Sequence, residues 1–122
     1  MNYIALAYQD EIQWANISAR ERALIEEACL LYEQELRQSG YLFAAEDFQN
    51  NQTAITIEIV NGKVSLTDGA AAETKKQLVQ LFLITAKDLN EAIQIISKMP
   101  QTRRGPIEVR SLPKLDWQQF QI

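Results

Sequence analysis

A chain of 122 residues, 47% of them hydrophobic, can build one ordinary core, so a single domain is expected. Sixteen acidic against twelve basic residues give a net charge of −4 without a dense Lys/Arg track, which argues against nucleic acid or an anionic membrane surface as partner. Histidine is absent, so triads, dyads and zinc sites built on imidazole are excluded, and no metal or cofactor is expected.

In chain order, Asn2 to Tyr8 alternate around Ile4, Leu6 and Tyr8 and predict a first strand. Ser18 with Glu21 is a capping-box signal for a helix running from Ala19 to Gln38, and Gly40 supplies its stop. On a helical wheel Leu24, Ile25, Ala28, Leu31, Tyr32 and Leu36 fill one sector, and Glu35 falls inside it. Cys29 has no partner for an internal disulfide and reads as packing among Ala28, Leu30 and Leu31. Tyr41 to Ala45 resume a strand pattern.

"TAITIEIVNGKVSLTD" then predicts a hairpin around a two-residue type I′ turn at Asn61-Gly62. In that register Ile55, Ile57, Ile59, Val64 and Leu66 share one face and the other face is polar. Leu78 to Ala86 is apolar on both sides, which predicts a strand covered on both faces. Asp88 with Glu91 caps a second helix whose stripe is Leu89, Ala92, Ile93, Ile96 and Met99, ended by Pro100, and Pro106 to Arg110 form a last strand.

This order specifies an α+β fold: a ferredoxin-like βαββαβ with an inserted β-hairpin, helices on one sheet face, spanning residues 1–112. A second subunit covering the open face would give a two-fold dimeric α+β barrel, so a homodimer is expected. The tail 113–122, with Trp117, Phe120 and Ile122, is expected to pack on its own or the partner subunit. The longest apolar run, Leu81 to Ile84, is far too short to span a membrane, and no basic-then-apolar leader stands at the N-terminus, so a cytoplasmic protein is expected.

"TDGAAAETKKQLVQLFLI", from Thr67 to Ile84, resembles the signature "TDGPFAETKEQLGGFYLI" of the YCII-related proteins, in the subgroup named for its DGPF motif. Asp68, Gly69, Ala72, Glu73, Thr74, Lys75, Gln77 and Leu78 match, whereas Pro-Phe has become Ala70-Ala71 and the paired glycines Val79-Gln80. "ELRQSG" (Glu35 to Gly40), "DLNEAIQIISKMP" and "GPIEVR" are similar to that subgroup's "ELRAAG", "DLDEALEWAARIP" and "GSIEVR". The resemblance implies the dimeric α+β barrel fold. It also implies one of two roles: a small enzyme akin to lactone isomerases, whose histidine is missing here, or a partner of extracytoplasmic-function sigma factors.

Asp68 can be a turn residue bonding to backbone N–H groups, or a base or anchor in a pocket between helices and sheet. Glu35, on the apparent buried stripe, is either an acid with a raised pKa or a carboxylate reaching water in the last turn. With Asp68 and Glu35 as an acid/base pair, Gly69, Glu73, Thr74, Lys75 and Arg110 are the candidates for holding a ligand, while the plainer reading of Glu73 to Lys76 and of Glu108 with Arg110 is a solvated surface. Two functions follow. One is a small-molecule-binding protein or isomerase/lyase-type enzyme; the other is a non-catalytic module acting through protein contact.

Overall fold

The computed structural model describes residues 1–48, 54–69 and 76–115. β1 (Asn2–Asp10) buries Tyr3, Ala5 and Ala7 and leaves the residues between them half-buried, the alternation of a strand with two unlike faces. Asp10 then turns the chain. Its carboxylate accepts from the N–H groups of Ile12 and Gln13, both at 3.1 Å, and caps a short helix α1 (Glu11–Ala15) that the apolar periodicity does not announce.

Helix α2 (Ala19–Gln38) starts as expected at Ser18, whose hydroxyl accepts from the Glu21 N–H at 3.1 Å. The return half of the capping box is absent because the Glu21 carboxylate pairs instead with Arg103 at 2.6 Å. Gly40, at φ 81°, lets the helix end in a Schellman turn: the Tyr41 N–H donates to the Leu36 carbonyl at 3.0 Å and the Gly40 N–H to that of Arg37 at 3.2 Å. The buried seam of α2 is Ile25, Cys29 and Leu36, with Tyr32 and Glu33 half-buried. Leu24 and Leu31, expected inside, are 57% and 59% exposed, and Glu35 is exposed with them. Positions 25, 29, 32 and 36 form the straighter seam, with alternating steps of four and three, so the helix rolls onto Cys29 and turns the Leu24–Leu31–Glu35 side outward.

β2 (Leu42–Asp47), β5 (Lys76–Thr85) and β6 (Ile107–Ser111) join β1 in one sheet of order β2-β5-β1-β6, all pairs antiparallel, the arrangement of a ferredoxin-like βαββαβ chain. The inserted strands β3 (Ile55–Val60) and β4 (Lys63–Asp68) pair as a separate two-stranded sheet. Their register is the expected one, Val60 opposite Lys63 through Ile57 opposite Leu66, and Asn61 and Gly62 take the positive φ values of 52° and 77° that a type I′ turn requires.

Helix α3 (Leu89–Ser97) is capped by Asp88, which accepts from the Glu91 N–H at 2.9 Å, while the Glu91 carboxylate accepts from the Lys87 N–H at 3.0 Å. It buries Ala92, Ile95 and Ile96; Leu89 and Ile93, expected on the stripe, are 47% and 48% exposed. Ile95 replaces them because its side of the helix meets α2, where the Tyr32 hydroxyl donates to the Ile95 carbonyl at 2.7 Å. The helix stops at Ser97, and a 3-10 turn (Pro100–Arg103) leads to β6. Tyr3, Ala5, Phe82 and Ile84 of the sheet close the core against Leu36, Ala92, Ile96 and Met99, each large side chain contributing about 1.5–3 kcal/mol on burial. On the other sheet face Ile4 lies opposite Leu83 and Leu6 opposite Leu81, all half-buried.

Two local irregularities matter for the site. Between Ala7 and Tyr8 the β1–β5 register shifts, leaving Val79 without an opposite number, and the Val79 carbonyl accepts instead from the Phe48 N–H at 2.9 Å. At Gly105 a Cβ would fall against the Tyr8 carbonyl, so only glycine allows the Arg104–Pro106 segment to lie on β1.

Candidate functional site

The shift at Val79 opens the helix-side corner where β2 and β5 end beneath α2. Along β5 the residues facing the helices are Ile84, Phe82 and then Gln80, which stands opposite Asp47 of β2. A cavity of about 380 Å³ lies there, bounded by Glu26, Cys29 and Glu33 of α2, by Asp47 and Gln80 of the sheet, and by Arg104. Leu30, Phe48 and Val79 supply its apolar wall.

Two glutamines fix its carboxylates. The Gln80 amide donates to Asp47 at 2.6 Å and the amide of Gln101, a residue only 2% exposed, donates to Glu33 at 3.0 Å. An amide that turns its NH₂ group to a carboxylate must point its oxygen elsewhere. Both amide oxygens are buried without a hydrogen-bond partner among the described residues, as is Nε of Arg104. Orphaned buried polar atoms are uncommon in native proteins, and here two of them, Oε1 of Gln80 and Nε of Arg104, belong to residues that line one cavity.

Burial pushes the Glu33 carboxyl above its ordinary value; Asp47 adds to the rise, and Arg37 and the Gln101 amide oppose it. The Cys29 thiol is pushed up to about 11, chiefly by burial, with Arg104 pulling the other way. It is therefore a packing thiol and not a nucleophile. Arg104 is held by the Gln9 side chain, 2.6 Å from its terminal nitrogen, and by the Trp14 ring, whose centre is 4.8 Å from the guanidinium carbon. Arg22 lies over the same ring at 5.5 Å and donates to the Trp14 carbonyl at 2.9 Å. The short helix α1 thus brings one aromatic ring to two guanidiniums and sets the cation of the site. Among the described residues no group of three or more Cys, Asp or Glu side chains is disposed to hold a metal ion.

Of the residues singled out from the sequence, the described ones lie elsewhere. Asp68 ends β4, exposed, and the following Gly69, at φ 104°, closes the hairpin by donating its N–H to Ala54 at 2.7 Å and accepting from the Thr56 hydroxyl at 2.8 Å. Glu35 borders a separate depression of about 270 Å³ with Tyr32, Tyr41, Glu91 and Lys98; burial raises the Tyr32 pKa, and the Glu35 charge adds to the rise. Arg110 is exposed and pairs with Glu108 at 2.9 Å. Glu73, Thr74 and Lys75 lie outside the described residues, as does the tail from residue 116. Among the described residues, Asp68 is not part of the wall of the depression that Glu35 borders. The sequence did carry a signal for the observed site: Gln80 continues the inward alternation of Ile84 and Phe82, and Glu33 lies one turn from Cys29 on the seam of α2.

A family model described as the YCII-related domain matches residues 1–116. The chain belongs to the YCII-related family. Among curated proteins nothing matches it. Among solved structures it is similar in fold to the 5-chloro-2-hydroxyhydroquinone dehydrochlorinase from Burkholderia phenoliruptrix AC1100, in complex with 2,5-dihydroxybenzoquinone, at 12% identity, with 92% of this chain and 93% of that chain covered and a TM-score of 0.53. At that identity the likeness speaks for the fold alone. Among the described residues no helix is long and apolar enough to cross a membrane.

Proposed function

We propose that this YCII-related protein, of the branch named for the DGPF motif, binds a small molecule in the cavity between α2 and the sheet and moves a proton on it. The observation that carries this reading is Glu33: a half-buried carboxyl with a raised pKa, hydrogen-bonded on one side, beside a second carboxylate and across a cavity from an anchored guanidinium. In this reading Glu33 takes a proton from carbon next to a carbonyl, and the electron pair moves to the carbonyl oxygen as an enolate. Arg104 stabilises that oxyanion. Returning the proton at another position completes an isomerisation, and departure of a leaving group with the electron pair completes an elimination. A dehydrochlorinase of the same fold fits this class of chemistry, and it makes hydroxylated quinones a reasonable first set of probes. The acid/base work would then rest on Glu33 and Asp47, with Asp68 and Glu35 outside it.

The test is proton exchange in deuterated buffer. Wild type incubated with 2,5-dihydroxybenzoquinone and a panel of small keto acids should stabilise against heat with one compound class and wash deuterium into it, and Glu33→Gln should lose the exchange while remaining folded. Exchange that survives Glu33→Gln, or a panel without a single stabilising compound, overturns the reading.

A further inference from the structure

The charges that line the cavity are kept apart from one another. Among the described residues Asp47, Glu33 and Glu26 border it as carboxylates and Arg104 as the cation, and none of these forms an ion pair. Glutamines stand where counter-charges would be expected: Gln80 donates to Asp47 at 2.6 Å, Gln101 donates to Glu33 at 3.0 Å, and Gln9 accepts from Arg104 at 2.6 Å. An amide fixes the direction of a charged side chain and leaves its charge unneutralised. The neighbouring Arg103 behaves otherwise, pairing with Glu21 at 2.6 Å, so the chain places a paired arginine outside the cavity and an unpaired one in its wall.

The unpartnered atoms repeat this polarity. The buried oxygen of Gln80, whose amide holds Asp47, calls for a donor, and the buried Nε of Arg104 calls for an acceptor. Carboxylates outnumber the guanidinium in the wall, so a positively charged donor suits the Asp47 side better than a neutral hydroxyl, and a dianion is selected against. An ammonium group carries both the charge and the N–H donors, while a carboxylate matches the fork of a guanidinium. Leu30, Phe48 and Val79 provide for an apolar body between the two, and about 380 Å³ is at the small end of the roughly 300–1,000 Å³ of ligand sites.

We infer that the cavity takes a small amino acid with an apolar side chain, its ammonium group meeting Asp47 and its carboxylate meeting Arg104. This leaves Glu33 for the proton on the carbon between the two groups. The inference rests on the reading of the cavity as a ligand site and narrows its ligand class to zwitterions, of which keto acids share only the oxygen end.

Isothermal titration of the full wild-type chain with matched compounds tests this. Phenylalanine should bind about tenfold or more tightly than 3-phenylpropanoate, which lacks the ammonium group, and than phenethylamine, which lacks the carboxylate. Leucine should stand in the same relation to 4-methylpentanoate and 3-methylbutylamine. Asp47→Asn should abolish the preference over 3-phenylpropanoate, and Arg104→Gln the preference over phenethylamine. Should either variant lose its fold by circular dichroism, the wild-type series decides alone, since it removes the charges from the ligand instead. Deaminated acids that bind as tightly as the amino acids, preferences that survive both substitutions in folded protein, or no binding of either amino acid at about 10 mM would overturn the inference. Deuterium wash-in to a quinone or keto acid without any preference for an ammonium group would sink this inference and leave the proposed proton transfer standing. Amino acid binding with both preferences but no deuterium exchange would do the reverse.

Discussion

Replacing Glu33 by glutamine should stabilise the protein at neutral pH. Burial and the neighbouring Asp47 hold its folded pKa above the ordinary 4.5, so ionising the carboxyl costs more in the folded state than in the unfolded one. The folded chain binds more protons than the unfolded one between the two pKa values, and stability must therefore fall as pH rises through that window. Below 4.5 both states are protonated and the penalty vanishes; above the folded pKa it is fully present. Glutamine keeps the carbonyl that accepts from Gln101 and removes the charge. The side chain is only half-buried, so solvent screens much of the effect, and a gain of about 0.3–1 kcal/mol is expected, or a few degrees in melting temperature. Thermal unfolding of both proteins from pH 4 to pH 8 measures it: the two should coincide near pH 4, and the variant should lead at pH 7. A variant less stable than wild type at pH 7, or a pH slope that persists unchanged without the carboxyl, would refute the claim that Glu33 is an energetic liability kept for its chemistry.

Three other outcomes follow from named contacts. Gly105→Ala should cost about 1–3 kcal/mol, because its Cβ meets the Tyr8 carbonyl and Asp10 N–H and can be accommodated only by prising the Arg104–Pro106 segment from β1; urea denaturation measures it, and a neutral result would mean that segment is loosely held. At pH 8 the native Cys29 thiol should react with a disulfide reagent at least 100-fold more slowly than in urea, since burial and a pKa of about 11 leave little thiolate; fast native labelling would contradict its placement. Asp88→Ala should lose about 1 kcal/mol with the cap of α3, whereas Asp88→Asn should lose much less.

What could be read from the sequence was whatever has a local cause. The hairpin register followed from Asn61-Gly62, where two adjacent positive φ values leave one way to pair the strands, and both long helices started where a short polar side chain could accept from an N–H three residues on. The roll of each helix did not follow, because it depends on contacts made far along the chain. Leu24 and Leu31 are as apolar as any residue of the seam, yet Leu36 and Tyr32 pack on the core that holds Leu42, Phe82 and Met99, Ile25 and Cys29 are buried on the same side, and this roll exchanges Glu33 for Glu35 as the inward carboxylate. The site was hidden for a related reason. Arg104 belongs to a turn with no periodicity, and it reaches the cavity only because α1, the Trp14 ring and Gly105 bring that turn onto β1.

The cavity and the open sheet face lie on opposite sides of the same strands. In β5 Gln80 points to the helices and Leu81 to the open face, and the alternation continues with Phe82 and Leu83. A substitution that separates the subunits of the expected dimer through Leu83 therefore leaves the cavity walls untouched, and Glu33→Gln leaves the open face untouched. This independence gives the dimer and the cavity separate tests. A monomeric Leu83→Lys protein that still binds the ligand would locate the chemistry wholly within one chain. A monomer that has lost binding would instead require coupling through the strand itself, and one path of a single peptide unit runs from Leu81 on the open face to Gln80, whose amide holds Asp47 in place. Removing that amide with Gln80→Leu in the intact dimer then decides the matter: if binding falls as far as it does on dissociation, the coupling passes through this pair, and if it does not, the loss on dissociation must come from a side chain that the second subunit brings to the cavity mouth.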